Sequence, residues 1–274
     1  MPVIATNTAA NSAVRYLNQN AASQSSSLSK LASGSRISQA SDDAAGLAIS
    51  TRLQSDVATL NQASTNATNA IAVLQTADGG ASNISDILQR MKVLATESAS
   101  GTVTDTERSY INEEFSSLKS QIDTIASGTR FNSSSLLTSN NMFSSGVSVM
   151  VGSSSSDTID IKLTGLSTTD LSLTSLSVTT QSGANSALTS LDTAIDKVSN
   201  ARASIGAQES QFQFSSESIS TQVENLKSAN SAISDVDVAS EEAKLASSQV
   251  MVQAAVAAAS SANSLTQNLL KLMQ

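Results

Sequence analysis

The chain has 274 residues, a formal net charge of −8 at pH 7, and neither cysteine nor histidine. The missing residue types remove disulfides, thiol nucleophiles, the usual zinc ligands and the commonest general base, and the acidic balance leaves no basic stripe to displace counterions from a nucleic acid. Aromatics are only 3% and tryptophan is absent, while serine fills about a fifth of the chain, a composition suited to closely approaching helices rather than a thick core.

The first fourteen residues carry no charged side chain, and Arg15, Leu17, Leu28 and Leu31 then mark a weak amphipathic helix. The start has no basic or long apolar run of a cleaved signal peptide. "SDDAAGLAIS" (Ser41–Ser50) follows. Ser41 is expected to cap a helix, with Asp42 and Asp43 in its first turn, where the dipole favours negative charge. Adjacent carboxylates diverge on a helix, and no histidine, metal set or nucleophile–base pair accompanies them, so they read as architecture.

A seam of Leu53, Val57, Leu60, Ser64, Ala67, Ile71 and Leu74 alternates by four and three, and resumes as Ile84, Leu88, Met91 and Ala95. Gly79 and Gly80 lie between, each costing about 1 kcal/mol relative to alanine. A continuous but locally weak helix is expected, with a break as the alternative. The next helix carries Ile111, Phe115, Leu118, Ile122 and Ile125. Thr104 with Glu107 forms its capping box, and Gly128 ends it.

From Asn132 to Gly183 helical periodicity is lost. Val147–Val151 and Thr158–Leu163 flank "GSSSSD" and predict a hairpin, and Leu171–Val178 reads as a third strand. This middle is expected to be an exposed elaboration on a helical stem. Beyond it, Leu191, Val198, Ile205, Phe212, Ile219, Leu226 and Ile233 recur every seven residues, with Ile195 and Val223 between them. Arg202, Glu209, Ser216 and Asn230 fill the other intermediate positions, as when a neighbouring helix supplies their partners. Glu241 and Glu242 start the last helix, where N-terminal charge accounts for them. That helix places Leu245, Val252, Val256, Leu265, Leu269 and Leu272 on a broad stripe. Ala246–Leu270 has no charged residue and the length of a membrane span. Gln249, Gln253, Asn263, Gln267 and Asn268 interrupt it, so a helix buried against protein is expected, not membrane insertion.

The fold class that follows is mainly α: an elongated, coiled-coil-like bundle of N- and C-terminal helices with a small β-hairpin region in the middle. Stem packing is assigned to Leu53, Leu60, Ile71, Leu74, Phe115, Leu191, Val198, Ile205, Phe212, Ile219, Leu226 and Ile233. Neither end has the large apolar surface to repay its ordering entropy alone. Both are expected to be disordered in an isolated subunit and helical when packed on neighbours. No catalytic, metal or cofactor residues are assigned.

"MPVIATNTAA", "LSKLASGSRISQASDDAAGLAIS", "SGTRFNSSSLL" and "NSLTQNLLKLMQ" resemble bacterial flagellin, everywhere but in the middle of the chain. The resemblance implies an inner core from residues 1–40 and 236–274, and a stem from 41–131 and 184–235. Residues 132–183 would be a Ser/Thr-rich hairpin part of that stem, with no further outer domains. It implies a structural subunit that polymerises into the extracellular flagellar filament, after export without a cleaved signal peptide. Partners implied are other copies, sibling flagellins, the export machinery and its chaperone, the filament cap and the hook-junction proteins. Leu17, Leu28 and Leu31 are expected to meet Leu265, Leu269 and Leu272 during assembly. O-linked glycans are expected on the middle, at Ser133, Ser134, Ser135, Ser144, Ser145, Ser153, Ser154, Ser155 and Ser156. "QRMKVLATE" (Gln89–Glu97) keeps Arg90 and Leu94 of the segment read by an innate immune receptor, but Lys92 and Val93 replace an Arg–Glu pair, which leaves that recognition open. A hook–filament junction protein and a secreted helical adhesin are the alternatives.

Overall fold

The structure, a computed structural model, describes residues 6–272, except the side chains of residues 265, 266 and 269–272. The side chains of Leu265, Leu269 and Leu272 therefore lie outside the description. The order is α1 (Thr8–Ser33), α2 (Ala44–Ala99), α3 (Asp105–Gly128), β1 (Arg130–Phe131), β2 (Ser134–Ser135), β3 (Val147–Met150), β4 (Thr158–Ile161), α4 (Gln181–Ser234) and α5 (Val238–Leu272). The chain divides into two compact units, with boundaries at Ser55/Asp56 and Glu224/Asn225, inside α2 and α4.

The first unit holds α1, α5 and the adjoining ends of α2 and α4. Asn7 caps α1 by accepting from Ala10 N, and Gly34 ends it at φ 69°, a left-handed conformation that glycine adopts without strain. The chain then crosses the segment between α4 and α5. Arg36 N donates to Ser234 O at 2.6 Å and Val236 N to Gly34 O at 3.1 Å, around the antiparallel bridge Ser35–Asp235. The cap of α2 differs from the expected one. Asp43, not Ser41, takes that place: its carboxylate accepts from Gly46 N at 2.8 Å and its carbonyl from Leu47 N at 3.0 Å. Asp42 points back instead and accepts from Ser38 N, Ser38 Oγ and Gln39 N. The expectation failed because either residue type can cap, and this turn is already closed by Asp42.

The second unit packs α2, α3 and α4 around one core. The α2 seam does not pause at the glycines: Ala67, Ala70, Leu74, Ala77, Ala81, Ile84, Leu88, Met91 and Ala95 are all buried, in alternating steps of three and four. The helix is continuous there. A Cβ on Gly80 would lie 2.4 Å from Thr129 Oγ1 and 2.8 Å from Leu137 Cδ1, whereas one on Gly79 would meet nothing within 4 Å. Opposite, Leu191, Val198, Ile205, Phe212 and Ile219 of α4 are buried, as are Phe115 and Ile122 of α3. Leu53, Ile71, Leu226 and Ile233 are half-buried. The polar positions of the α4 seam find partners on α2: Arg202 with Asp78 at 2.8 Å, and Glu209 with Gln75 at 2.8 Å. In the first unit Asn230 accepts from Ser50 Oγ at 2.7 Å. The capping box of Thr104 and Glu107 is present on α3. Arg108, 7% exposed, covers the end of α2 by donating to Ser98 O and Ser100 O, each at 2.8 Å.

The middle of the chain departs from expectation in two ways. It is not an outward elaboration, because Leu136, Leu137, Phe143, Ile161, Leu163, Leu166, Leu171, Leu173 and Val178 belong to the core with the three helices. And while β3 and β4 form the expected antiparallel hairpin, Leu171–Val178 is not a strand. Ser172 sits at φ 61°, which breaks an extended run. The backbone donors of this segment are met by turns and by α3: Thr168 N donates to Asp123 and Val178 N to Asn112, while Leu173 N donates to Thr168 O. The alternating leucines reach the core from turns.

Candidate assembly surfaces

In the first unit α1 and α5 run antiparallel, tied at Asn7 Nδ2 to Ala262 O (3.0 Å) and at Ser27 Oγ to Glu241 Oε1 (2.7 Å). Their contacting residues form two heptad seams of small side chains. On α1 these are Ala10, Ala13, Leu17, Asn20, Gln24, Ser27 and Leu31; on α5 they are Glu241, Leu245, Ser248, Val252, Ala255, Ala259 and Ala262. Small side chains let the two backbones come within 8 Å. Sequence periodicity found only the aliphatic part of these seams, such as Leu17, Leu31, Leu245 and Val252, because it counts apolar residues, and nine of these fourteen positions are alanine, serine or amide. The spacing of three and four was present, but in residues that apolar counting passes over.

Glu241 does more than the N-terminal charge expected of it. Asp237 caps α5 by accepting from Ser240 N, and Glu241 is buried at 7% exposure against Ser27. The Ser27 hydroxyl, and then the Lys244 ammonium at 3.0 Å, hold its carboxyl below the ordinary value, with Lys30 adding a weaker attraction.

The expected assembly residues fall in different places. Leu17 and Leu31 are half-buried in the α1 seam, Leu28 is 58% exposed beside it, Val252 is in the α5 seam, and Val256 is 52% exposed. Leu17, midway between Asn7 and Ser27, is at the level of Val252, midway between Ala262 and Glu241.

Away from the seam the pair exposes large apolar side chains among polar ones. Val14, Tyr16 and Leu28 of α1, and Val238, Val250, Met251 and Val256 of α5, are 45–65% exposed. At about 100° per residue, Val250 lies nearly opposite the α5 seam, with Met251 and Val256 on its two flanks. Large apolar side chains left exposed on several sides of a helix pair suit cover by a partner. The charge distribution agrees. Residues 1–55 and 225–274 hold seven lysines and arginines against six aspartates and glutamates; residues 56–224 hold eight against seventeen. Among the described residues there is no group of three side chains fit to hold a metal ion, and no helix long and apolar enough to cross a membrane.

Of the serines expected to carry glycans, Ser133, Ser145 and Ser153–Ser156 are exposed. Ser134, Ser135 and Ser144 are half-buried, and the last two spend their hydroxyls on Ala126 O and Asn141 O.

Comparison with known proteins places these observations in one family. The pattern described as bacterial flagellin N-terminal helical region matches residues 4–142, and that described as bacterial flagellin C-terminal helical region matches residues 188–273. The chain is 33% identical to the flagellar filament 33 kDa core protein of Treponema phagedenis, over 99% of this chain and 100% of that one. It resembles the crystal structure of Bacillus cereus flagellin with a TM-score of 0.51 and 30% identity, covering 61% of this chain and 94% of that chain. A flagellar hook-associated protein from Vibrio parahaemolyticus described as putative in its own structure shares the fold alone, at 17% identity and a TM-score of 0.59, over 71% of this chain and 100% of that one.

Proposed function

Since the chain belongs to the bacterial flagellin family and is a structural subunit of the flagellar filament, we propose that its α1–α5 pair forms the interior of that filament. The second unit would form the surrounding layer. The observation that carries this reading is the ring of exposed apolar residues, spaced among polar ones, on the helix pair of a unit whose charges nearly balance. Identical neighbours on several sides can cover such a ring, and contacts of the head-to-tail kind generate an open helical polymer. In this reading residues 1–40 and 236–274 are the inner core, 41–131 and 184–235 the stem, and 132–183 part of the stem rather than an outer domain. The large side chains of the α2, α3 and α4 seams hold the stem, and Asp43 caps its first helix. Leu17, Leu31 and Val252 set the spacing of the inner pair, while Leu28 and Val256 meet other copies, joined there by Leu265, Leu269 and Leu272.

A filament subunit works outside the cell. We assign it an export route without a cleaved leader, with a chaperone, a cap and junction proteins at the two ends of the polymer, and no catalytic role. Glycans, where present, belong on Ser133, Ser145 and Ser153–Ser156. Electron microscopy of purified protein seeded with filament fragments tests the reading: helical filaments support it, and subunits that stay dispersed at high concentration overturn it. Intact-mass measurement of native filament protein tests the glycans, since an unmodified mass excludes them.

A further inference from the structure

We propose that a groove in the second unit, between residues 162–166 and α4, receives a carboxylate-bearing surface of the second unit of another copy; this rests on the filament reading above. The groove has a volume of about 560 Å³ and is lined by Lys162, Lys197, Asn200, Ser139 and Ser144 among others. Its one lining carboxylate, Asp170, is occupied by Ser167 N and Ser167 Oγ. Two lysines thus line the groove beside one carboxylate, whose Oδ2 accepts from Ser167.

Four of the eight cations of this unit pair with a carboxylate, and of the four that do not, two line this groove. Arg90, Lys92, Arg108 and Arg202 each pair with a carboxylate of the same chain: Glu114, Asp192, Asp105 and Asp78. Lys119 and Arg130 donate to backbone carbonyls. Among the described residues, neither Lys162 nor Lys197 has a carboxylate within salt-bridge distance. Lys197 Nζ rests on Asp170 O at 3.0 Å. The Lys162 backbone is fixed on both sides by Gln208, at 2.8 and 3.0 Å, which holds the residue at the mouth.

Charge complementarity names the occupant. Seventeen acids against eight bases make copies of this unit repel one another at close quarters. A lateral contact between them needs cations that are not already neutralised internally, and this groove concentrates two. The acids it meets are exposed carboxylates such as Asp86, Glu97 and Glu113, none of which pairs with a cation among the described residues.

Zero-length carbodiimide coupling tests this on filaments grown from an equal mixture of heavy-isotope and ordinary protein. Mixed-isotope crosslinks from Lys162 or Lys197 to an aspartate or glutamate of residues 56–224 are expected. The variant Lys162→Glu/Lys197→Glu should leave about tenfold more subunit in solution beside filaments. Arg130→Glu, outside the groove, should change this little, and high salt should narrow the gap. Wild-type filaments whose mixed-isotope crosslinks all lie elsewhere overturn the inference alone. So does a double variant that polymerises like wild type. Wild-type protein that forms no filaments overturns the filament reading and this inference with it.

Discussion

Ser27 of α1 donates a 2.7 Å hydrogen bond to Glu241 of α5, and both residues are buried in a seam otherwise made mostly of alanine, serine and a few aliphatics. Removing the hydroxyl leaves a buried carboxylate oxygen without its donor. Ser27→Ala should therefore weaken the α1–α5 pairing by about 1.5–3 kcal/mol, the range for hydrogen bonds to charged groups. Faster amide exchange in α1 of polymerised protein is the measurement. Exchange equal to wild type would show that the seam holds without this bond.

The same contact makes the pair sensitive to acid. The Glu241 carboxyl is held below its ordinary value of 4.5 by Ser27 first, then Lys244. A depressed value in the folded state means its contribution is present above the unfolded value and lost as pH falls through the folded one. Amide protection of α1 and α5 should thus fall below about pH 4.5, and Glu241→Gln should flatten that fall. A variant with the wild-type acid profile would assign the transition to another group.

Two adjacent glycines in α2 should respond in opposite senses. Gly79 has open space where a Cβ would go, so Gly79→Ala should stabilise the second unit by about 0.5–1 kcal/mol. Gly80 sits against Thr129 and Leu137, and Gly80→Ala should cost about 1–3 kcal/mol through overpacking. Thermal melts of the two variants decide it; shifts of the same sign would contradict the packing described.

The start of α2 offers a sharper contrast. Asp43→Ala removes a cap and should cost about 1 kcal/mol, whereas Ser41→Ala should lie within about 0.5 kcal/mol of wild type. Denaturant titration of the two variants separates them. A larger loss at Ser41 would return the cap to that residue.

Much of the stem was legible in the sequence because its seams are made of large side chains. Leu74, Leu88, Phe115, Leu191 and Phe212 announce a spacing that survives packing. Even the polar interruptions were readable, since Arg202, Glu209 and Asn230 each found a partner on α2. The inner pair was not legible in the same way. Ala10, Ala13, Asn20, Gln24 and Ser27 carry the same spacing without hydrophobic contrast. Register cannot be read from one helix, so the bond from Ser27 to Glu241 had no local signal. The alternation around Leu171 and Leu173 suggested a strand, because turns can also send every second residue inward when α3 satisfies the backbone. Asp43 and Ser41 are equivalent by capping preference, and only the contacts of Asp42 decide between them.

Val250 gives the most direct test of the central claim, that the outer surface of the α1–α5 pair is completed by other copies. It is 65% exposed and lies nearly opposite the seam, so a charge there should not disturb the pair itself. In the polymer the same charge would be buried without a partner, at a cost of several kcal/mol. Sedimentation of seeded Val250→Asp protein should leave it in the supernatant, with the helix content of wild-type subunits. Pelleting of the variant as normal filaments at the wild-type concentration would contradict the account.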